Sequence, residues 1–125
     1  MLKLCLLAPP PSQFNISILH KIIELYKIFY QYLELFPKRQ KFGVGQKCEN
    51  IIIEILESII IALQIPKNNK LPYLEKASIK LNVLKIFFRL TTEFKIIDNK
   101  KYVNLEIYCQ EIGKMLGGWI KSVKY

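Results

Sequence analysis

Few side chains here could carry acid–base, nucleophilic or metal chemistry. They are the single histidine His20, the carboxylates Glu49, Glu54 and Glu57, the thiols Cys5, Cys48 and Cys109, and the run GVGQK at residues 43–47. One histidine cannot furnish the paired Glu-x-x-His motifs of a di-iron bundle, and no local motif marks it as part of a Ser-His-Asp or Cys-His site. A satisfied, partly buried ring is the plainer reading. The three glutamates keep company with Lys47, Asn50 and Ser58, the composition of a solvated helix stripe. GVGQK is too short for the G-x-x-x-x-G-K-[ST] loop that wraps a phosphate. Three cysteines without C-x-x-C spacing make neither a disulfide framework nor a zinc site, and they fit a reducing cytoplasm. The chain therefore reads as a non-enzyme, with no catalytic or metal residue, no cofactor and no small-molecule substrate.

Charge offers more. The formal net charge is +9, and residues 67–125 hold 12 basic and 5 acidic side chains against 7 and 5 in residues 1–66. Such a surplus favours polyanionic partners through steering and counterion release. The densest cluster, Lys38, Arg39, Lys41 and Lys47, contains no acid.

These residues have to be positioned by helices. With 125 residues, the chain is the size of one domain with its own core, and its periodicity is that of an all-α protein. Ser17 suits the N-cap of a first helix that reaches about Phe36 and stops at Pro37. The linker PKRQKFGVG follows, loosened by Gly43 and Gly45. A second helix is expected over about Val44 to Ile65, closed by Pro66. Pro72 fits the first turn of a third, expected to reach about Ile97, and Asp98 suits the cap of a fourth that continues to about Ser122. Short connections between four such helices describe an antiparallel up-down four-helix bundle over residues 16–125. Residues 1–15 read as a loose N-terminal arm, since the apolar run before Pro9 is too brief for a convincing signal peptide. No run of 18 or more uncharged apolar residues predicts a membrane span.

In an up-down bundle the first and third connections share one end, so Lys100 and Lys101 join the cluster at Lys38, Arg39, Lys41 and Lys47. Phosphates would be held there electrostatically, with little reading of bases; the alternative is a solvated loop kept basic for solubility.

The third helix carries two apolar rows where one would suffice. Leu74, Ala77, Leu81, Leu84 and Phe88 form the first; Ile79, Val83, Ile86, Leu90 and Ile97 form the second. One row can face the core, and the other needs a cover. Self-association supplies it, unless the loops or the arm fold over it.

On the fourth helix, Tyr102, Leu105, Cys109, Ile112, Leu116, Trp119 and Val123 recur at alternating spacings of 3 and 4, which is a core seam. Gly113 and Gly117 lie one above the other on a neighbouring face, and Gly118 widens the gap beside Trp119. Each glycine costs roughly 1 kcal/mol of helix propensity. Either close packing against another element offsets that cost, or the glycines mark fraying or a kink before the C-terminus.

The segments FPKRQKFGVGQKCENIIIEILE, KLPYLEKASIKLNVLKIFFRL and EIGKMLGGWIKS resemble the accessory variability determinant proteins of diversity-generating retroelements. That family sits in a wider group of bacterial four-helix bundle proteins that includes those encoded in 23S rRNA intervening sequences. The resemblance covers about residues 16–123. Its most specific parts are the Phe36-Pro37 junction leading to Gly45-Gln46-Lys47, and Met115-Leu116-Gly117-Gly118-Trp119. It implies a positively charged, barrel-like homopentamer that binds RNA or an RNA–DNA hybrid and the element's reverse transcriptase. That enzyme copies a template RNA with errors at adenines and so diversifies a target gene. The basic residues matching the family's charged linker are Lys38, Arg39, Lys41 and Lys47. Cys48 stands where an aliphatic residue is expected and can pack as one.

Two functions in different classes remain open. The first is a nucleic-acid-binding accessory subunit of a reverse transcriptase. The second is a structural homo-oligomeric module whose basic surface docks an acidic protein.

Overall fold

Apolar side chains recur every three or four residues along four segments, and each is helical: α1 (Gln13–Leu33), α2 (Gln46–Gln64), α3 (Leu71–Glu93) and α4 (Asn99–Lys124). The computed structural model describes residues 13–124, with side chains from residue 16 onward. No strand occurs among them. Each helix packs on its neighbours in sequence, and α1 closes the square against α4. Neighbours are antiparallel. Lys21 of α1 pairs with Glu111 at 2.7 Å, whereas the later Tyr32 accepts a hydrogen bond from the earlier Asn104 at 2.9 Å. Between α2 and α3, Lys80 meets Glu54 at 2.8 Å, while the earlier Lys70 donates its ammonium to the later carbonyl of Ala62.

The core is the sum of the inward rows. Ile18, Ile22, Leu25 and Phe29 of α1 face Ile51, Ile55 and Ile59 of α2, Leu74, Leu84 and Phe88 of α3, and Leu105, Ile112 and Leu116 of α4; all are buried. The rings of Phe29 and Phe88 lie 5.5 Å apart, joining diagonal helices through the middle. Burying each such side chain contributes roughly 1.5–3 kcal/mol, so these rows hold the bundle together.

Several boundaries differ from the sequence reading. The helix α1 starts at Gln13, which puts Ser17 inside it rather than at its cap; residues 1–12 of the expected arm lie outside the described residues. The helix α1 ends at Leu33, and Phe36 folds into the core from the turn that follows. The linker is wound: Lys38–Gln40 is α-helical and Lys41–Gly45 a wider π turn that runs into α2, with Gly43 departing from helical geometry. Gly45 explains why the chain winds here. It is buried against Leu33 and Phe36, so the turn is drawn onto the end of α1.

The expected third helix is shorter, ending at Glu93 instead of Ile97. Lys95 adopts the left-handed conformation at φ 60. The amides of Lys95 and Ile96 donate back to the carbonyls of Thr92 and Thr91 at 2.9 and 2.8 Å, the paired bonds of a Schellman stop. The reversal turns Ile97 inward, so it is a core residue and not part of the outer row. Asp98 does cap α4: its Oδ1 accepts the amide of Lys101 at 2.8 Å, satisfying a donor that a helix start otherwise leaves free. Pro72 sits in the first turn of α3, as its fixed φ favours.

Candidate functional site

Residues with acid–base potential are held apart. His20 is exposed on α1, not partly buried as the sequence suggested. Glu49 accepts a hydrogen bond from the hydroxyl of Tyr26 at 3.0 Å, and Glu54 is paired with Lys80, whose ammonium holds its carboxyl below the usual range. The thiols of Cys48 and Cys109 are pushed up to about 12 by burial; both pack as small apolar side chains. Among the described residues, no three His, Cys, Asp or Glu side chains cluster as metal ligands, and no helix is long and apolar enough to cross a membrane.

Two surfaces stand out instead. The first is the outer face of α3. Its two rows point in opposite directions, and the core takes the row of Leu74, Ala77, Leu81, Leu84 and Phe88. Ile79 and Ile86 are left 62% and 61% exposed, with Val83 half-buried between them and Leu90 half-buried one turn beyond. No described loop covers this strip. Exposed aliphatic residues along one helix face are a feature of interfaces.

Gly113, Gly117 and Gly118 lie on α4, which continues unbroken through them, so the kink is absent. Close packing within the protomer is also absent at Gly117, where an added β-carbon would meet nothing within 4 Å. At Gly113 it would touch only Leu81, at an ordinary 3.6 Å. Trp119 is buried in the core seam beside the exposed Gly118.

The second surface is the end of the bundle where the chain passes from α1 to α2 and from α3 to α4. Leu35 from the first connection, Thr92 in the last turn of α3, and Lys95 and Ile97 from the second connection line one shallow groove, so the two connections adjoin. Lys38, Arg39 and Lys47 are exposed and Lys41 half-buried. None of these four forms a salt bridge with a described carboxylate, although Lys47 lies close enough to Glu54 to lower that carboxyl. Lys100 is exposed on the first turn of α4. Lys101 differs from the other five: its ammonium is held by Asp98 at 3.1 Å and lies 5.9 Å from the centre of the Tyr32 ring. That engagement, led by the Lys101 amide, keeps the Asp98 carboxyl below its ordinary range.

Sequence reasoning missed the apolar members of this end. Phe42 is 67% exposed and Phe94 61%, and Leu35 is exposed as well. The available signal was a phenylalanine set inside the basic run KRQKFGVG. An aromatic residue amid charges and glycines, outside any apolar row, has no core position to fill.

Fold and surfaces together define a basic, antiparallel four-helix bundle that presents one aliphatic face and one cationic end. The chain belongs to the bAvd-like family, the accessory variability determinant family, whose family model matches residues 16–123. The match spans all four helices and includes both Gly45 and the Gly117-Gly118-Trp119 segment. No curated protein and no solved structure matches the chain.

Proposed function

We propose that this protein is a non-catalytic, nucleic-acid-binding accessory subunit that partners a retroelement reverse transcriptase during mutagenic copying of a template RNA. Membership of the accessory variability determinant family supports the role. The observation that carries it is the set of cations at one end of the bundle: Lys38, Arg39, Lys41 and Lys47 are free of salt bridges to described carboxylates, and Lys100 stands on the adjoining turn. Cations not neutralised by the protein itself release counterions when they meet phosphates, and that release drives binding.

The protomer works as part of a ring, a homopentamer by family analogy. Ile79, Val83, Ile86 and Leu90 form the aliphatic face that a neighbouring copy covers, and Gly113, Gly117 and Gly118 let that copy approach α4 closely. Each ring repeats the cationic end around its axis and so multiplies the field that a polyanion meets.

The test is binding of RNA and of an RNA–DNA hybrid across a salt series, with the wild type beside a variant in which Lys38, Arg39, Lys41 and Lys47 are changed to Glu. The wild type should lose affinity steeply with salt, and the variant should lose binding throughout. Binding that ignores salt, or survives the charge reversal, overturns the reading. Co-purification with the reverse transcriptase, and its loss in the same variant, tests the partnership.

A further inference from the structure

We propose that the cationic end binds single-stranded nucleic acid in particular, with unpaired bases stacked on the rings of Phe42 and Phe94. This inference rests on the nucleic-acid-binding reading above and adds to it the form of the ligand and the residues that select it.

Two large rings are left in water at the same end of the bundle, one on each of the adjoining connections. Phe42 belongs to no apolar row, and Phe94 stands one turn beyond Leu90, where the outer row of α3 reaches this end of the bundle. Phe42 follows Lys41 in the wound linker, and Phe94 precedes Lys95 at the Schellman stop. Residues 34–47 and 93–101 together hold seven basic and three acidic side chains, and one of those acids, Asp98, is already occupied by Lys101. This chemistry differs from that of the outer face of α3. There the exposed residues are aliphatic and contiguous, which suits a protein surface of the same kind. Here two exposed aromatic rings are set among cations, with Phe94 where the outer row of α3 meets this end.

That pairing matches a single strand. Phosphates meet the lysines and the arginine, and each base offers a flat π face that stacks on an aromatic ring whatever its sequence. In a duplex the same faces are stacked on one another and only the phosphates are within reach, so the rings add nothing. An acidic polypeptide would satisfy the cations but has no need of two exposed aromatic rings.

The experiment measures anisotropy of a labelled single-stranded RNA of mixed sequence, alone and annealed to its complement, with the full chain and two double variants. F42A/F94A should weaken single-strand binding by roughly 5- to 150-fold for each ring removed, leaving duplex binding and the salt slope unchanged because the cations remain. F42L/F94L restores apolar bulk without a π face and should stay weak, whereas F42W/F94W should bind like the wild type. Fluorescence of the buried Trp119 in the Ala and Leu variants checks the fold at the far end of the bundle. Equal binding of the single strand by wild type and F42A/F94A overturns the inference but not the proposed function. So does an equal loss on both RNA forms, or rescue by leucine. Ring-dependent binding of polyglutamate would make this a protein-docking surface and would also overturn it. Wild-type protein that binds neither RNA form overturns the proposed function itself.

Discussion

A β-carbon placed on Gly45 would stand 2.5 Å from Cδ1 of Leu33 and 3.1 Å from the backbone carbonyl oxygen of Gln40. The backbone of Gly45 is ordinary helix, φ −62 and ψ −49, so glycine is needed here for room alone. The tip of Leu33 can turn aside, but the carbonyl of Gln40 moves only with the linker. Overpacking costs about 1–3 kcal/mol, and Ala recovers about 1 kcal/mol of helix propensity. Gly45→Ala should therefore destabilise the protein by a net ~1 kcal/mol. A lower urea midpoint with unchanged slope checks it; a raised midpoint would mean that the linker yields freely.

Gly117 is the opposite case, because nothing within the protomer approaches it. Gly117→Ala should stabilise the isolated protomer by up to about 1 kcal/mol through helix propensity, read as a higher melting temperature at low concentration. Gly117→Leu should leave helicity intact and shift sedimentation towards smaller species. If the bulky variant sediments like the wild type, no neighbouring copy presses on this face.

Exposed and buried residues of α3 should answer differently to substitution. Ile79→Glu with Ile86→Glu adds charge where both side chains already meet water, so the protomer should stay folded while assembly is lost. Leu84→Ala empties a core position and should cost about 2–5 kcal/mol. Sedimentation paired with thermal melting separates the two effects. An aliphatic strip that serves no interface would leave the sedimentation of the double variant unchanged.

Lys95 occupies a left-handed conformation that an L side chain adopts at a cost of about 1–2 kcal/mol. Lys95→Gly should relieve it, offset in part by the greater freedom of glycine in the unfolded chain, for a net gain of about 0.5–1 kcal/mol. Lys95→Ala removes the same charge without relieving the backbone and is the control. The comparison fails if alanine stabilises as much as glycine.

Burial raises the thiols of Cys48 and Cys109 to about 12, and the thiolate is the reactive form. In a Cys5→Ser background neither should react with a thiol-specific reagent at pH 8, and both should react once the protein is unfolded. Rapid labelling of the native protein would show that the core opens around α2 and α4.

Much of the fold was legible because helix formation and facing are local properties. Apolar residues three and four apart identify the inward row of α4 and the two candidate rows of α3 before any contact is known, and Asp98 announces the cap of α4 because its carboxylate can accept an amide of the first turn. Other features lay beyond local reading. The linker at Lys38–Gly45 looked loose because glycines weaken helices in isolation; here Gly45 is what admits the end of α1. Ile97 fell in register with the outer row, but the Schellman stop at Lys95 ended that register and sent it into the core.

Composition and periodicity thus determined that this chain would be basic, helical and richer in apolar rows than one bundle interior requires. Only the tertiary structure decided which row of α3 stays in water, that Lys101 is held by Asp98 while Lys38 and Arg39 remain free of salt bridges to described carboxylates, and that Phe42 and Phe94 stand at one end. The reason is physical. The pitch of a helix fixes which residues share a face, but whether that face is covered depends on segments distant in sequence, and their approach is set by packing.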